Sequence, residues 1–554
     1  MEAREQLKTI IEEARQAAVA AGELPEGDYA PVQQLEIPPK KEFGDFSSNA
    51  AMQWARTAHK APRAIAQALM GHIHSDMIEK MDIAGAGFIN FFLAEDTVYN
   101  ELKMILQKGD SYGDLPAHHE DTILVEYVSA NPTGPLHVGH GRGAAYGSAL
   151  VNLLRAAGYG VSSEYYINDA GNQIQHLAES VNARYLSLFG EDRDVPEDGY
   201  HGQDIIETAR RIKEKDGDKY LHMKEEERLA IFKKVALEEK LAALKKDLAD
   251  FHVTFDRWFS EKSLYPAKVD AALDVLKKEG NMYEKDGAWW LKTTLCGDDK
   301  DRVVIRANGE PTYFCSDIAY HKDKFDRGYK KLIDIWGADH HGYVARLKTA
   351  IRFEGYDPDR FEVLLLQMVT LLRDGVPVKM SKRTGEAVTL AELIEEVGSD
   401  AARYFFNSRS LDSQMEFDID LAKRESSENP VYYIQYANAR IHSLYRQAKE
   451  AKVVWGDWDQ TDFTLLKEEC ELDLIKKMGT YHDLIAAAAR EEAPHRIARY
   501  VYELAGLFHQ FYRQCRILGV APELTQARLG LITAVRYILV HALTILGVTA
   551  PEHM

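Results

Sequence analysis

Two histidines, His137 and His140, stand three residues apart in Pro135-Leu136-His137-Val138-Gly139-His140-Gly141. The segment follows the β-rich run TILVEYV and a Gly/Pro turn, and it opens a small-residue stretch from about Gly139 to Ala157 that reads as a helix. Imidazoles at this spacing fall on neighbouring points of a first helical turn. There, unpaired N–H groups and the partial positive charge of the helix attract phosphate. Gly139 lets a planar ring approach the backbone. The arrangement suits ATP, with His137 and His140 as donors to the phosphate that reacts; taken alone, the same spacing also fits a metal pair or a chance match.

A second constellation lies roughly 240 residues further on, Val378-Lys379-Met380-Ser381-Lys382-Arg383-Thr384-Gly385, after the apolar run LLLQMVTLL and the turn Arg373-Asp374-Gly375. Two lysines flanking a small residue on a Gly-bounded loop make a clamp for polyphosphate, of most use where negative charge builds during phosphoryl chemistry. Lys379 and Lys382 are expected to hold the β- and γ-phosphates, with Met380 and Ser381 between them. A Mg²⁺ ion would come with the nucleotide from solvent rather than from a protein cage. Trp336-Gly337-Ala338-Asp339-His340 ends a predicted strand, a place where open α/β sheets take ligands. Gly337, Asp339 and His340 are therefore expected near the ribose; a capping role at the following helix is the alternative for the last two.

These groups need a doubly wound sheet to position them, and the chain has the length for one. With 554 residues and 45% hydrophobic content it exceeds what a single core accommodates. We read an N-terminal α+β domain (residues 1–112), an α/β domain with a parallel Rossmann-type sheet (113–410) and an all-α bundle (411–554), with boundaries where few contacts cross. Within the second domain, about 190–292 reads as a charged helical insertion. No apolar run approaches the roughly 20 residues of a membrane span, and the first residues, MEAREQLKTIIEEARQAA, read as a charged amphipathic helix rather than a signal peptide. Cys296, Cys315, Cys470 and Cys515 are scattered, without a C-x-x-C pair, which argues against a disulfide framework or structural zinc and fits a reducing cytoplasm. No protein-bound metal is expected. A net charge of −19 means that any nucleic acid must be gripped by local patches.

The two constellations resemble the HIGH and KMSKS motifs of class I aminoacyl-tRNA synthetases, with Val138 for the isoleucine and Arg383 for the final serine. Longer strings narrow the likeness: Glu126-Tyr-Val-Ser-Ala-Asn131 running into His140, Tyr166-Ile-Asn-Asp-Ala-Gly-Asn-Gln173, Tyr313-Phe-Cys-Ser-Asp317, Trp336-Gly-Ala-Asp-His-His-Gly342, the stretch Asn429 to Arg440 and the ending at Met554 are all similar to arginyl-tRNA synthetases. The resemblance spans nearly the whole chain. It implies ATP-dependent activation of L-arginine and transfer to the 2′-hydroxyl of the terminal adenosine of tRNA(Arg), by a monomer in the cytoplasm. It also implies an arginine site made of Glu126, Ser129, Asn131, His140, Tyr313 and Asp317. Asp317 would meet the guanidinium, Tyr313 would pack beside it, and Glu126 would meet either the guanidinium or the α-ammonium.

For tRNA the resemblance implies Phe88 and Asn90 at the D-loop and Tyr436, Tyr512 and Met554 near the anticodon, where aromatic faces stack on unpaired bases. Burial of Phe88 and helix-core packing of both tyrosines are the alternatives. Three rival functions remain open at this point: a synthetase for another class I amino acid, an H-x-G-H adenylyltransferase for a small molecule, and a synthetase-like RNA-binding protein without activity.

Overall fold

Strand-forming runs rich in Val, Ile and Leu recur between residues 118 and 366, and in the computed structural model five of them join in one parallel sheet. The structure describes residues 2–32, 35–38, 40–191, 193–378 and 387–554. Ahead of that sheet, α1 (Glu2–Ala20) and α2 (Pro62–His72) cover a three-stranded antiparallel sheet of β1 (Phe46–Ser48), β2 (Ile78–Ala84) and β3 (Phe88–Leu93). Leu7, Ile11, Ala14 and Ala18 recur every three or four residues, so they fall on one face of α1 and are buried there. Helix α3 (Glu95–Lys108) leads out of this unit.

The central sheet uses β4 (His118–Glu126), β5 (Tyr159–Ile167), β6 (Arg257–Ser260), then, after a small antiparallel sheet of β7 (Met282–Lys285), β8 (Ala288–Leu291) and β9 (Arg302–Ile305), β10 (Lys331–Gly337) and β11 (Phe361–Leu366). Its order is β11-β10-β4-β5-β6, parallel throughout. The chain winds from β4 to one side and later returns to the other. The carboxyl ends of β4 and β10 therefore splay around a topological switch point, where such sheets take ligands. Helix α4 (Val138–Ala156) makes the first crossover. Helices α5 (Asn172–Ser187), α6 (Gln203–Asp216) and α7 (Glu225–Asp250) pack on one another around Leu177, Val181, Tyr185, Ile205 and Phe232. Beyond the small sheet, α8 (Tyr313–Asp326) and α9 (His341–Phe353) flank β10.

Three expectations are corrected here. The charged stretch 190–292 is not wholly an insertion, because Arg257–Ser260 within it pairs with β5 as the edge strand of the central sheet; at four residues, with Arg257 exposed, it carries too little pattern to stand out. Second, residue 410 does not mark a zone that few contacts cross. Helices α10 (Ser399–Phe406), α11 (Pro430–Glu450), α12 (Glu469–Gly479), α13 (His495–Gln514) and α14 (Pro522–Leu546) share one hydrophobic core with β4, α4 and β5. The fully buried Arg403 ties them together, donating to the carbonyls of Leu546 (2.9 Å) and Phe251 (2.9 Å) and to Ser148 Oγ (2.7 Å). Third, one apolar run does reach membrane-span length: α14 has 25 residues and a mean hydropathy of 1.9 over its most apolar window. That window is 72% buried inside the helical domain, as befits a core helix.

Candidate active site

At the switch point lies a cleft of about 1350 Å³. The end of β4 contributes Glu126, the turn after it Ser129 and Asn131, and the start of α4 His137, Gly139 and His140. From α8 comes Asp317, and from the end of β10 come Gly337, Asp339 and His340. Three stretches far apart in sequence, residues 126–140, Asp317 and residues 337–340, thus meet at one place. Asp339 and His340 are exposed, 3.5 Å apart, and neither side chain makes a capping hydrogen bond at α9 or at the short turn before it.

The histidine pair has a defined chemical state. His137 is the N-cap of α4, and its Nδ1 accepts from the Gly139 N–H (3.1 Å), while Nδ1 of His140 accepts from the N–H of His137 (3.3 Å). An Nδ1 that accepts carries no proton, so in both neutral rings the proton sits on Nε2, which is left as a donor. The rings stack with centroids 3.7 Å apart. Gly139 makes this possible, because a Cβ there would stand 2.9 Å from Cε1 of His137. Burial lowers the pKa of His137, and burial together with the neighbouring His137 lowers that of His140 to about 4. Both are therefore neutral donors at neutral pH. The expectation of free backbone N–H groups changes accordingly: Val138 N–H donates to the Val388 carbonyl (3.3 Å) and Gly139 N–H to His137, leaving the imidazoles as the donors on offer.

Lys379, Met380, Ser381 and Lys382 lie outside the described residues, but the chain on either side does not. β12 (Val369–Arg373) and β13 (Val376–Val378) form a hairpin whose turn uses positive φ at Asp374 (50°) and Gly375 (72°). Val378 at its end lines the cleft, as do Ala387 and Val388 where description resumes. Leu390 N–H then donates to the Leu136 carbonyl at 2.7 Å. Both flanks of the lysine loop are thereby held beside the histidine pair.

Carboxylates crowd the inner wall. The Glu126 carboxylate accepts from Lys324 Nζ (2.5 Å) and from Ser129 Oγ (2.8 Å), and Ser129 Oγ in turn accepts from the Tyr166 N–H (3.1 Å). Val128 and Ser129 adopt φ of 68° and 39°, a left-handed turn that brings the Ser129 hydroxyl back to the strand end. Lys324 also bonds both oxygens of Asp334 (2.8 and 3.0 Å), which His321 Nε2 meets at 2.9 Å. The Asp317 carboxylate accepts from the Tyr343 hydroxyl, and burial raises its pKa against the pull of that hydrogen bond. No ion pair of Asp317 occurs among the described residues. Tyr313 differs from expectation: it is 53% exposed at the start of α8 and does not line the cleft, its hydroxyl standing close over Gly171. Tyr343 takes the position beside Asp317.

Sequence reasoning missed Tyr343, His321, Lys324 and Asp334. Two signals were available. Lys324 follows Asp317 by seven residues, two turns on the same helical face, and Asp334 interrupts the otherwise apolar centre of KLIDIWG. Among the described residues no group of three or more His, Cys, Asp or Glu side chains is placed to hold a metal ion.

The residues considered for RNA fall into two groups. Phe88 is half-buried on β3, and Asn90 is 3% exposed with its Oδ1 accepting from Ser47 Oγ at 2.7 Å, a position inside the small sheet rather than a surface for bases. In the helical domain Tyr436 is exposed on α11. The Arg440 guanidinium lies 4.5 Å from its ring centroid and 4.2 Å from that of Tyr512, and Tyr432 stacks next to Tyr436 at 6.1 Å. The chain end runs along the same helix, Asn438 Nδ2 donating to the carbonyls of Ala550 and Pro551, and Met554 is half exposed.

Comparison with known proteins covers the chain in three parts. The family model described as "Arginyl tRNA synthetase N terminal domain" matches residues 5–93, "tRNA synthetases class I (R), catalytic domain" matches 101–418, and "DALR anticodon binding domain" matches 434–554. An arginine–tRNA ligase of Geobacillus kaustophilus is 51% identical over 547 residues, covering 98% of each chain. One of Carboxydothermus hydrogenoformans is 51% identical over 98% of this chain and 97% of its own. The solved arginyl-tRNA synthetase of Thermus thermophilus, 23% identical, shares the fold with a TM-score of 0.75 over the full length of both chains.

Proposed function

The chain belongs to the arginyl-tRNA synthetase family, and from that premise we propose how its residues divide the work of activating arginine with ATP and charging tRNA with it. The arginine carboxylate attacks the α-phosphate, giving arginyl-adenylate and pyrophosphate; the 2′-hydroxyl of the terminal adenosine of tRNA(Arg) then takes the arginyl group. Positioning and electrostatic stabilisation supply the catalysis, since the protein need form no covalent bond.

His137 and His140 donate from Nε2 to the α-phosphate as its negative charge spreads. The single observation that carries this role is their locked tautomer: each Nδ1 accepts a backbone N–H, so each ring keeps a donor without a positive charge of its own. Lys379 and Lys382, with Met380 and Ser381, close on the β- and γ-phosphates together with the Mg²⁺ that accompanies ATP. Support comes from the flanks of that loop, Val378 and Val388, which line the same cleft. Gly337, Asp339 and His340 attend the ribose.

Arginine lies against the acidic wall. Asp317, steadied by Tyr343, takes the guanidinium, whose planar fork suits a carboxylate. Glu126 contacts the substrate from the other side with Ser129, while Asn131 and His140 hold its α-amino and carboxylate end. The stack of Tyr436, Arg440 and Tyr512 offers faces for anticodon bases, with Met554 at the chain end, and Phe88 and Asn90 shape the D-loop contact. The protein works as a cytoplasmic monomer. Charging of total tRNA with each labelled amino acid, in wild type and in His140→Ala, tests the scheme: arginine alone should be incorporated, and the variant should lose the rate. Full activity in the variant would remove the histidine from the chemistry.

A further inference from the structure

Glu126 ends β4, and its register partner on the adjacent strand β10 is Asp334. Neighbouring strands lie about 4.8 Å apart, so two carboxylates stand side by side on one face of a sheet, both buried. That arrangement is unfavourable unless a cation separates them. The cation is Lys324 of α8, which is 0% exposed and bonds Glu126 Oε2 at 2.5 Å and the two Asp334 oxygens at 2.8 and 3.0 Å. All three donors of the ammonium are thereby used.

Other charged and titratable groups face this cluster from the elements around it, among them the buried Asp317 carboxylate, which is bonded by the Tyr343 hydroxyl, and Tyr166 of β5. On its own helix, Tyr320 lies under the ammonium with its ring centroid 4.3 Å away, and its hydroxyl donates to Glu164 of β5. His321 bonds Asp334 Oδ2 through Nε2 (2.9 Å) and the Asp317 carbonyl through Nδ1 (2.8 Å). Glu164 is matched by Arg327, and Asp323 by Lys268 from the helix Ala267–Lys278. Burial raises the Glu126 carboxyl, with Lys324 opposing and Asp334 adding to the shift; Lys324, which burial alone would depress, sits above its ordinary range because Asp334 and Glu126 flank it.

Glu126 is thus pinned twice, by Lys324 on Oε2 and by Ser129 on Oε1, with its remaining acceptor capacity facing the cleft. We propose that Lys324 is a positioning residue for amino-acid recognition, fixing the Glu126 carboxylate at the strand end in the orientation that meets the substrate. This rests on Glu126 being an arginine contact. Lys324 touches neither substrate nor reacting atoms; without it the two strand-end carboxylates would share a proton, and the acceptor offered to arginine would lose both its charge and its aim.

The test uses the full-length protein and steady-state tRNA charging with Lys324→Met, Lys324→Arg and Glu126→Gln. Lys324→Met should raise KM for arginine roughly ten- to a hundredfold, the scale of a lost hydrogen bond to a charged group, while KM for ATP moves less than about threefold on the same scale. It should also introduce a new fall in kcat/KM for arginine as pH is lowered, from the shared proton. Lys324→Arg should recover most of the loss. An arginine KM unchanged in Lys324→Met, or an equal rise for ATP, would overturn the proposal. Glu126→Gln separates the two levels: if it leaves arginine KM untouched, Glu126 itself is not a contact, whereas an effect there with none in Lys324→Met defeats only the positioning role. Should Lys324→Met not fold, Lys324→Met/Asp334→Asn removes one charge of each sign and relieves the repulsion. It should still show the raised arginine KM, and a normal value would refute the inference.

Discussion

Replacing Asp317 by asparagine keeps the shape of a side chain held by the Tyr343 hydroxyl and removes its charge. Among the described residues Asp317 has no ion-pair partner, so a bound guanidinium would be its counter-ion, and in the variant that guanidinium would be buried without one. Leaving one member of a buried pair alone costs about 3–5 kcal/mol, and about 1.4 kcal/mol is a factor of ten. The nearby Glu126 carboxylate offsets part of this, which brings the expected loss in kcat/KM for arginine to roughly two to three orders of magnitude. Citrulline, the neutral near-isostere, should lose much of its disadvantage, because an amide makes no demand for a cation opposite it. The assay is the ratio of charging efficiencies for arginine and citrulline in both proteins, and a ratio unchanged by the substitution would take Asp317 out of the guanidinium site. Misfolding would not mimic the result. Burial holds the Asp317 pKa above its ordinary value, so the folded state binds more protons than the unfolded one above pH 3.8, and stability is lost as pH rises through that window. Asparagine removes this cost, and the melting temperature at neutral pH should not fall.

His140→Ala should cost about 2.7–4 kcal/mol of transition-state stabilisation, the usual loss for one preorganised donor, read as a hundredfold or greater fall in kcat; an unchanged kcat would contradict the role. Lys379→Ala/Lys382→Ala should lower kcat far more than it raises KM for arginine, since contacts to a departing polyphosphate strengthen in the transition state; equal losses in both parameters would argue against the clamp. Truncation after Ser410 should yield insoluble or unfolded protein rather than a domain that still binds ATP, because it strips α14 from α4 and removes the Leu546 carbonyl that Arg403 bonds. A soluble fragment with a cooperative melt would show the interface to be dispensable.

What was legible in the sequence is what is local. His137, Gly139 and His140 act through hydrogen bonds within one helical turn, so spacing alone carries their geometry. The Val, Ile and Leu runs of β4, β10 and β11 announce a buried parallel sheet by composition. Relations across the sheet are not carried that way. That Asp334 stands beside Glu126 depends on strand order and register, and that Tyr343 rather than Tyr313 reaches Asp317 depends on how α9 lies against α8. The shared core is illegible for a related reason: Leu150 on α4 and Leu539 on α14 read as the interiors of separate domains, and only the folded chain puts them in one.

The left-handed turn at Val128 and Ser129 has a bearing on affinity. Non-glycine residues in that conformation cost on the order of 1–3 kcal/mol each, and a β-branched valine is among the least tolerant. Here the turn is held by the Ser129 hydroxyl bridging Glu126 and the Tyr166 N–H, and it lines the cleft. The chain thus accepts strain once, when it folds, and in return the acceptor at the strand end is preorganised before any amino acid arrives. A glycine at 128 would relax the backbone and stabilise the fold locally, yet it would leave the ordering of this turn to be done at each binding event, drawing on the affinity for the substrate.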